Sequence, residues 1–180
     1  MTITPAREHT SAALGRAVRP RHTMTPSSSF RDVMANMAAP VSVITAAEDG
    51  VGSGATVSAV MSLSMAPEMI VVALDRGSTT LAAIQRTGRF GVNILAAHQK
   101  DLAMRFASKA PNKFADLAWS LESGVPRLGD VSGWVRCTVE RIQPGGDHVL
   151  VCGLVEAAFH DAERAALTYQ GRTFGTHRQA

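Results

Sequence analysis

The stretch from Trp134 to Phe159 constrains this chain more than any other. Val135, Cys137 and Val139 alternate with Arg136, Thr138 and Glu140, the period of two of a strand with one face in a core and one in water. Pro144-Gly145-Gly146-Asp147 interrupts the pattern, and His148 to Phe159 runs back as a second strand. Two such runs about a Gly-Gly turn predict a β-hairpin, because glycine accepts the positive φ that tight hairpin turns require. His148 stands at the mouth of that hairpin, where a side chain can face a cleft.

The rest of the chain supplies further short elements. Residues 1–28 mix Thr, Ser, Pro, Ala and Arg without periodicity and predict a disordered extension, leaving residues 29–176 as the ordered domain. Ser27-Ser28-Ser29 is a ready N-cap for a helix carrying Phe30, Val33, Met34 and Met37, which Pro40 stops. A strand over Val41 to Ala47 turns at Glu48-Asp49-Gly50 and returns as one long strand, Val51 to Ser64, bent at its glycines. Past Pro67 come a buried strand, Met69 to Leu74, and a short helix, Ser78 to Arg86, ended by Gly88. Arg89 to Leu95 predicts another buried strand, and Ala97 to Ser108 a helix turning Leu102 and Phe106 to the core. Pro111 to Val125 reads as irregular, anchored by Phe114, Leu117, Trp119 and Leu121, and Tyr169 to Phe174 as a short final strand. Short strands with three helices interspersed do not follow the βαβ rhythm, and no G-x-G-x-x-G follows a strand. A mainly β architecture, a barrel with peripheral helices, is expected.

A chain of 180 residues, 46% hydrophobic and 18% charged, supports one domain with a real core. Its formal charge of +3 resides in residues 1–29, where Arg7, Arg16, Arg19 and Arg21 face Glu8 alone, so the remainder balances. The folded part therefore lacks the positive charge that drives phosphate contacts, which argues against a nucleic-acid partner. Cys137 and Cys152 lie in apolar runs and form no CxxC pair, as suits a reduced, cytoplasmic protein. The apolar runs are too short for a signal peptide or a membrane span, so no membrane association is expected. The six histidines include no HExxH and no i, i+4 pair, and no metal is expected. A G-x-S-x-G elbow and a Walker sequence are both missing.

The chemically suggestive stretch is Val51 to Thr80. It opens with small and hydroxyl residues, Gly52, Ser53, Gly54, Ala55, Thr56 and Ser58, and a strand so poor in bulk leaves room for a flat group against its backbone. It closes on Asp75-Arg76-Gly77-Ser78-Thr79-Thr80, a polar turn opening a helix, where backbone N–H groups and hydroxyls suit an anionic phosphate. An ordinary edge strand and N-cap share this composition. Arg105-Phe106 with Lys109, near a helix end, could contact phosphate or serve as a solvated basic end that complements the helix dipole.

Several motifs in order carry a resemblance. They are Phe30-Arg31-Asp32-Val33-Met34, Thr56-Val57-Ser58-Ala59, Leu74-Asp75-Arg76-Gly77-Ser78, Gly88-Arg89-Phe90-Gly91-Val92-Asn93 and Leu102-Ala103-Met104-Arg105-Phe106-Ala107. Lys113-Phe114-Ala115, Gly146-Asp147-His148 and Tyr169-Gln170-Gly171 follow. From Phe30 to Phe174 the chain resembles the short-chain flavin reductases, the reductase components of two-component flavin-dependent monooxygenases. The resemblance implies an FMN-binding split β-barrel working as a homodimer, with FMN or FAD and NADH or NADPH as cofactors. It implies hydride transfer to free flavin, and a partner monooxygenase that receives the reduced product. Thr56, Val57, Ser58 and Ala59 would lie along the flavin ring, while Asp75, Arg76, Ser78, Thr79 and Thr80 hold the ribityl chain and phosphate. Arg105, Phe106 and Lys109 would close over the phosphate end, with Asn93 supporting from the neighbouring strand. His148, as the catalytic residue, would face the nicotinamide, with Gly146, Asp147 and Tyr169 beside it. The chain departs from the pattern at Pro67-Glu68, where two prolines are common, and at Gly171-Arg172-Thr173-Phe174, a loose match. A flavoprotein that keeps its FMN and serves another acceptor, and a flavin-binding protein without turnover, stay open. The choices of FMN or FAD, of NADH or NADPH, and of oxygenase partner are not written in these residues.

Overall fold

The computed structural model describes residues 26–177. Helix α1 (Pro26–Asn36) leads through β1 (Ala39–Pro40) into β2 (Ser42–Glu48), β3 (Val51–Val57), β4 (Val60–Met65) and β5 (Glu68–Asp75). Helix α2 (Thr79–Thr87), β6 (Arg89–Ile94) and α3 (Lys100–Ala107) follow, then β7 (Trp119–Glu122) and β8 (Val125–Leu128). The chain ends on β9 (Gly133–Gly145), β10 (His148–His160), β11 (Leu167–Gln170) and β12 (Thr173–Thr176).

Seven of these strands form one sheet in the order β3-β2-β6-β9-β10-β5-β4, with every neighbouring pair antiparallel. Its two edge strands, β3 and β4, are consecutive in the chain and separated only by Ser58-Ala59. Two residues cannot span the width of a flat seven-stranded sheet, since each strand adds about 4.8 Å. The sheet must therefore curl until its edges nearly meet, which makes a barrel open along one seam. Ala73 N on β5 donates to Ala59 O at 3.0 Å, so the β4–β5 pairing runs on into the link between the two edges.

Two apolar clusters share the sheet. Ile44, Val72, Leu74, Leu81, Ile84, Phe90, Val92, Cys137 and Val151 fill the barrel. Val41, Val43, Leu95, Phe106, Leu128 and Trp134 lie in the second cluster, to which α3 and β8 contribute. β2 is buried from Ser42 to Ala46 because alternate residues serve each cluster, Ile44 and Ala46 one, Val43 the other. Phe90 reaches deep only because Gly153 is bare: a Cβ there would stand 2.6 Å from its ring. Burial pushes the Cys137 thiol up to about 12, so it packs as a hydrophobe.

The predicted hairpin is the longest strand pairing among the described residues, with Gly146-Asp147 as its two-residue turn. Other expectations are corrected. The strand expected over Val51 to Ser64 is two strands; it breaks at Ser58-Ala59, where the chain leaves one edge of the sheet and joins the other. The segment after Pro111 is not wholly irregular, for β7 and β8 form a hairpin turning at Ser123-Gly124, both at positive φ. The final strand is itself a hairpin, β11–β12, turning at Gly171-Arg172. Helix α1 begins at Pro26, inside the expected extension, a residue whose fixed φ suits a first helical turn; residues 1–25 lie outside the described part.

Candidate functional site

A hollow of about 1040 Å³ lies between β3, the start of α2, and the segment linking α3 to β7. That volume sits at the top of the range of about 300–1,000 Å³ usual for small-molecule sites.

β3 forms the first wall. The β2–β3 turn has two residues, Asp49 and Gly50, with φ of 50° and 81°, so Glu48 and Val51 are its flanking pair. Tight two-residue hairpins make that pair hydrogen-bonded, and the pattern then alternates. Val51, Ser53, Ala55 and Val57 thus bond to β2, whereas Gly52, Gly54 and Thr56 turn their peptide groups to the free edge. The Gly54 carbonyl accepts there from Lys113 Nζ at 3.4 Å.

α2 forms the second wall. Ser78 caps it, its Oγ accepting from Leu81 N at 3.4 Å and its carbonyl from Ala82 N at 3.1 Å, and Gly88 ends it in the left-handed region. The N–H groups of Thr79 and Thr80 are left over at the positive end of the helix dipole, where an anion is stabilised. Asp75 braces the approach, its Oδ1 accepting from Gly77 N at 2.7 Å. Thr80 is fully buried, its hydroxyl 3.3 Å from that of Ser53 on β3.

Aromatic rings form the third wall. Phe106, Phe114 and Trp119 meet edge to face, with centroids 5.1 and 5.0 Å apart. A Cβ on Gly54 would lie 2.6 Å from Phe106, and one on Gly52 3.0 Å from Phe114. The bareness of the strand is therefore used first by the protein's own rings. Arg105 Nη2 donates to the carbonyls of Asn112 and Ala115, and Lys113 Nζ to Phe106 O at 2.9 Å, so two cations hold this segment by its backbone. Burial lowers the Lys113 pKa below its ordinary value.

Of the sequence-predicted residues, Thr56, Asp75, Ser78, Thr79, Thr80, Phe106 and Lys109 line the hollow. Val57 packs into the barrel, and Ser58 and Ala59 are exposed at the seam. Arg105 braces the α3–β7 segment instead of lining the hollow. Asn93 is wholly buried and makes no direct contact with the hollow: its amide donates to Val43 O and Thr45 Oγ1 and accepts from Leu128 N, tying β2, β6 and β8 together behind the site. His148 pairs across the sheet with Asp75, and Arg76 N donates to Asp147 O at 3.3 Å, so the tip Gly146-Asp147-His148 stands beside Asp75 at the edge of the hollow, and neither the tip nor Arg76 lines it. Asp147 Oδ1 holds His148 Nδ1 at 2.8 Å, and that hydrogen bond lowers the Asp147 pKa. Tyr169 is not brought to His148 within the chain, because β11 pairs with β1 and its ring packs on Phe174. Sequence reasoning missed Lys113 and Phe114 as site residues; the Lys-Phe pair amid an apparently irregular stretch was the available signal. Among the described residues no three His, Cys, Asp or Glu side chains converge as metal ligands, and no helix is long and apolar enough to cross a membrane.

The residues present fit a flavin nucleotide: free-edge peptides for the polar rim of its ring, an aromatic wall beside it, and helix-end amides with hydroxyls for its phosphate. That geometry defines a split-barrel nucleotide site. Residues 34–178 match the model of the flavin reductase like domain, and the chain belongs to that family. It is 41% identical over 129 residues to the reductase component of a 4-nitrophenol 4-monooxygenase/4-nitrocatechol 2-monooxygenase of Rhodococcus opacus, covering 71% of this chain and 70% of that one. It is 34% identical over 148 residues to a flavin reductase of Pseudomonas putida, covering 81% and 87%. The structure of the flavin reductase PheA2 superposes with a TM-score of 0.79 at 29% identity, covering 86% of this chain and 100% of that chain.

Proposed function

We propose that this protein is a cytoplasmic NAD(P)H:flavin oxidoreductase that reduces free FMN or FAD and supplies it to a partner monooxygenase. The observation that carries the reading is that the free edge of β3 and the start of α2, with the Thr79 and Thr80 N–H groups left over by its cap, line one hollow. When bound, the flavin supplies the hydride-accepting chemistry. The chain's own residues bind and orient. Gly52, Gly54 and Thr56 offer edge peptides, Ser78 to Thr80 and Lys109 take the phosphate, and Phe106, Phe114 and Trp119 keep water from one side. Asp147 fixes the orientation and tautomer of the His148 ring, which lies at the rim to receive the nicotinamide. The family resemblance of the sequence and the relatives named as monooxygenase reductase components support the partner.

A homodimer is part of the proposal. Helix α1 exposes Phe30, Val33 and Met34, with Met37 just beyond its end, and β4 exposes Met61, Leu63 and Met65, Phe30 at 65% and Met65 at 77%. Apolar surface on this scale is what a second copy would cover.

The test is loss of NADH absorbance by the purified protein, with and without added FMN. Consumption that rises and saturates with free FMN is expected. Consumption indifferent to added flavin would favour a retained prosthetic group, and flavin binding without consumption a non-catalytic binder. His148→Ala should slow flavin reduction in stopped flow while leaving FMN affinity within about twofold, because the ring acts on the nicotinamide side; equal transient rates would remove that role.

A further inference from the structure

A second hollow of about 390 Å³ opens from the first, sharing Val51, Gly52, Ser53 and Thr79 with it. Its floor is a stripe of α2, since Thr79, Ala83 and Arg86 stand at i, i+4 and i+7. Its far wall is the β2–β3 turn with Glu48 and Asp49. The groove therefore starts where the flavin phosphate would sit and runs seven residues down the helix, about 10 Å at 1.5 Å per residue.

We infer that this groove takes the adenosine-phosphate half of a flavin dinucleotide, and that Arg86 and Glu48 set the preference of the site between FAD and FMN. The inference rests on the flavin reading above and names the substrate class of that same site. Arg86 Nε donates to Glu48 Oε1 at 2.7 Å, which fixes the guanidinium on the rim. Its remaining N–H groups are free of other partners in the described residues, so they can meet the second phosphate, or its plane can stack on adenine. Asp49, exposed at the tip of the turn, brings a carboxylate that can accept from ribose hydroxyls, as acidic side chains do in nucleotide sites. Val51, 72% exposed, adds an apolar surface for the base. FMN, which lacks the second phosphate and the adenosine, would end at the head of the groove, short of Arg86, Glu48 and Asp49. Glu48 works against the second phosphate by competing for Arg86, so the two residues should shift FAD affinity in opposite directions.

The experiment is titration of the full-length protein and its variants with FMN and with FAD, followed by flavin fluorescence. Arg86→Glu should weaken FAD about tenfold or more, the size of one lost charged contact, with FMN held within about twofold. Glu48→Gln should tighten FAD severalfold without changing FMN, a gain that structural damage cannot imitate. Retained FMN affinity shows that each variant is folded. FAD affinity unchanged in both variants, FMN and FAD shifting together, or a wild type that binds FMN and rejects FAD would each overturn the assignment. Binding of neither flavin by the wild type would overturn the flavin reading itself, and this inference with it.

Discussion

The two walls that flank β3 reach similar order by opposite means. The α2 wall is built locally: Asp75 bonds Gly77, Ser78 bonds Leu81, and Gly88 ends the helix, all within a dozen or so residues. The α3–β7 wall is built at a distance. Lys113 reaches Gly54, Phe106 fits against the bare backbone of Gly54, and Phe114 does the same at Gly52. A locally capped helix end is preorganised before any ligand arrives, whereas a wall hung on distant partners fails as a unit when one is lost. The first should discriminate phosphates. The second should govern whether the hollow exists.

Removing the ring at the centre of the distant wall is the severest test. Phe106 is 1% exposed, in edge-to-face contact with Phe114, and Phe106→Ala should cost about 3–5 kcal/mol by urea unfolding. FMN and riboflavin binding should both fall, because the surface beside the ring is lost, not the phosphate contacts. The complementary change, Gly54→Ala, should cost about 1–3 kcal/mol by overpacking, and less in a Phe106→Leu background. Additive costs in that double variant would mean the two positions do not share a contact.

The same contrast decides how much could be read from the sequence. The Ser78 cap and the Gly88 stop mark α2 because capping is decided within four residues. The β9–β10 hairpin is equally legible, from strict alternation and its glycine turn. The break at Ser58-Ala59 carries no turn signature, because it follows from closure of a seven-stranded sheet and not from the two residues themselves. β7 and β8 are four residues each, too short for a period of two to stand out, although Ser123-Gly124 is a turn dipeptide. Gly52 and Gly54 correctly announce a close approach to the backbone, but what approaches is Phe114 and Phe106, the latter placed by a helix fifty residues on. Asn93 is expected from the sequence to support the site from the neighbouring strand; the partners of its buried amide, on β2 and β8, lie far along the chain and are not written in its local sequence.

The local wall should give a smaller and more selective response. Ser78→Ala removes the cap and should cost about 1 kcal/mol. FMN affinity should drop while riboflavin, which lacks the phosphate, binds as before. Equal losses for both would mean that α2 does not hold the phosphate. Lys113→Met probes the other wall at comparable cost, about 1 kcal/mol for lost hydrogen bonds to Gly54 and Phe106. It should also hasten proteolysis between Ser108 and Ala118, which Ser78→Ala should not.

The smallest expected effect lies at the hairpin tip, which belongs to neither wall. The Asp147 carboxyl is held below its ordinary value of 3.8 by its hydrogen bond to His148 and by the charge on that ring. A depressed carboxyl stabilises the folded form above its unfolded value, and the contribution is lost as pH falls through the folded value. Wild type and Asp147→Asn should therefore differ in stability above pH 3.8 and converge below it. The difference should be slight, because the Asp147 side chain is 91% exposed and solvent screens the pair. Flavin reduction should respond more than stability, since Asp147→Asn releases the His148 ring without touching either wall. A variant with unchanged reduction rate and unchanged FMN affinity would show that the tip is held by its backbone bond to Arg76, and that the carboxylate orients nothing.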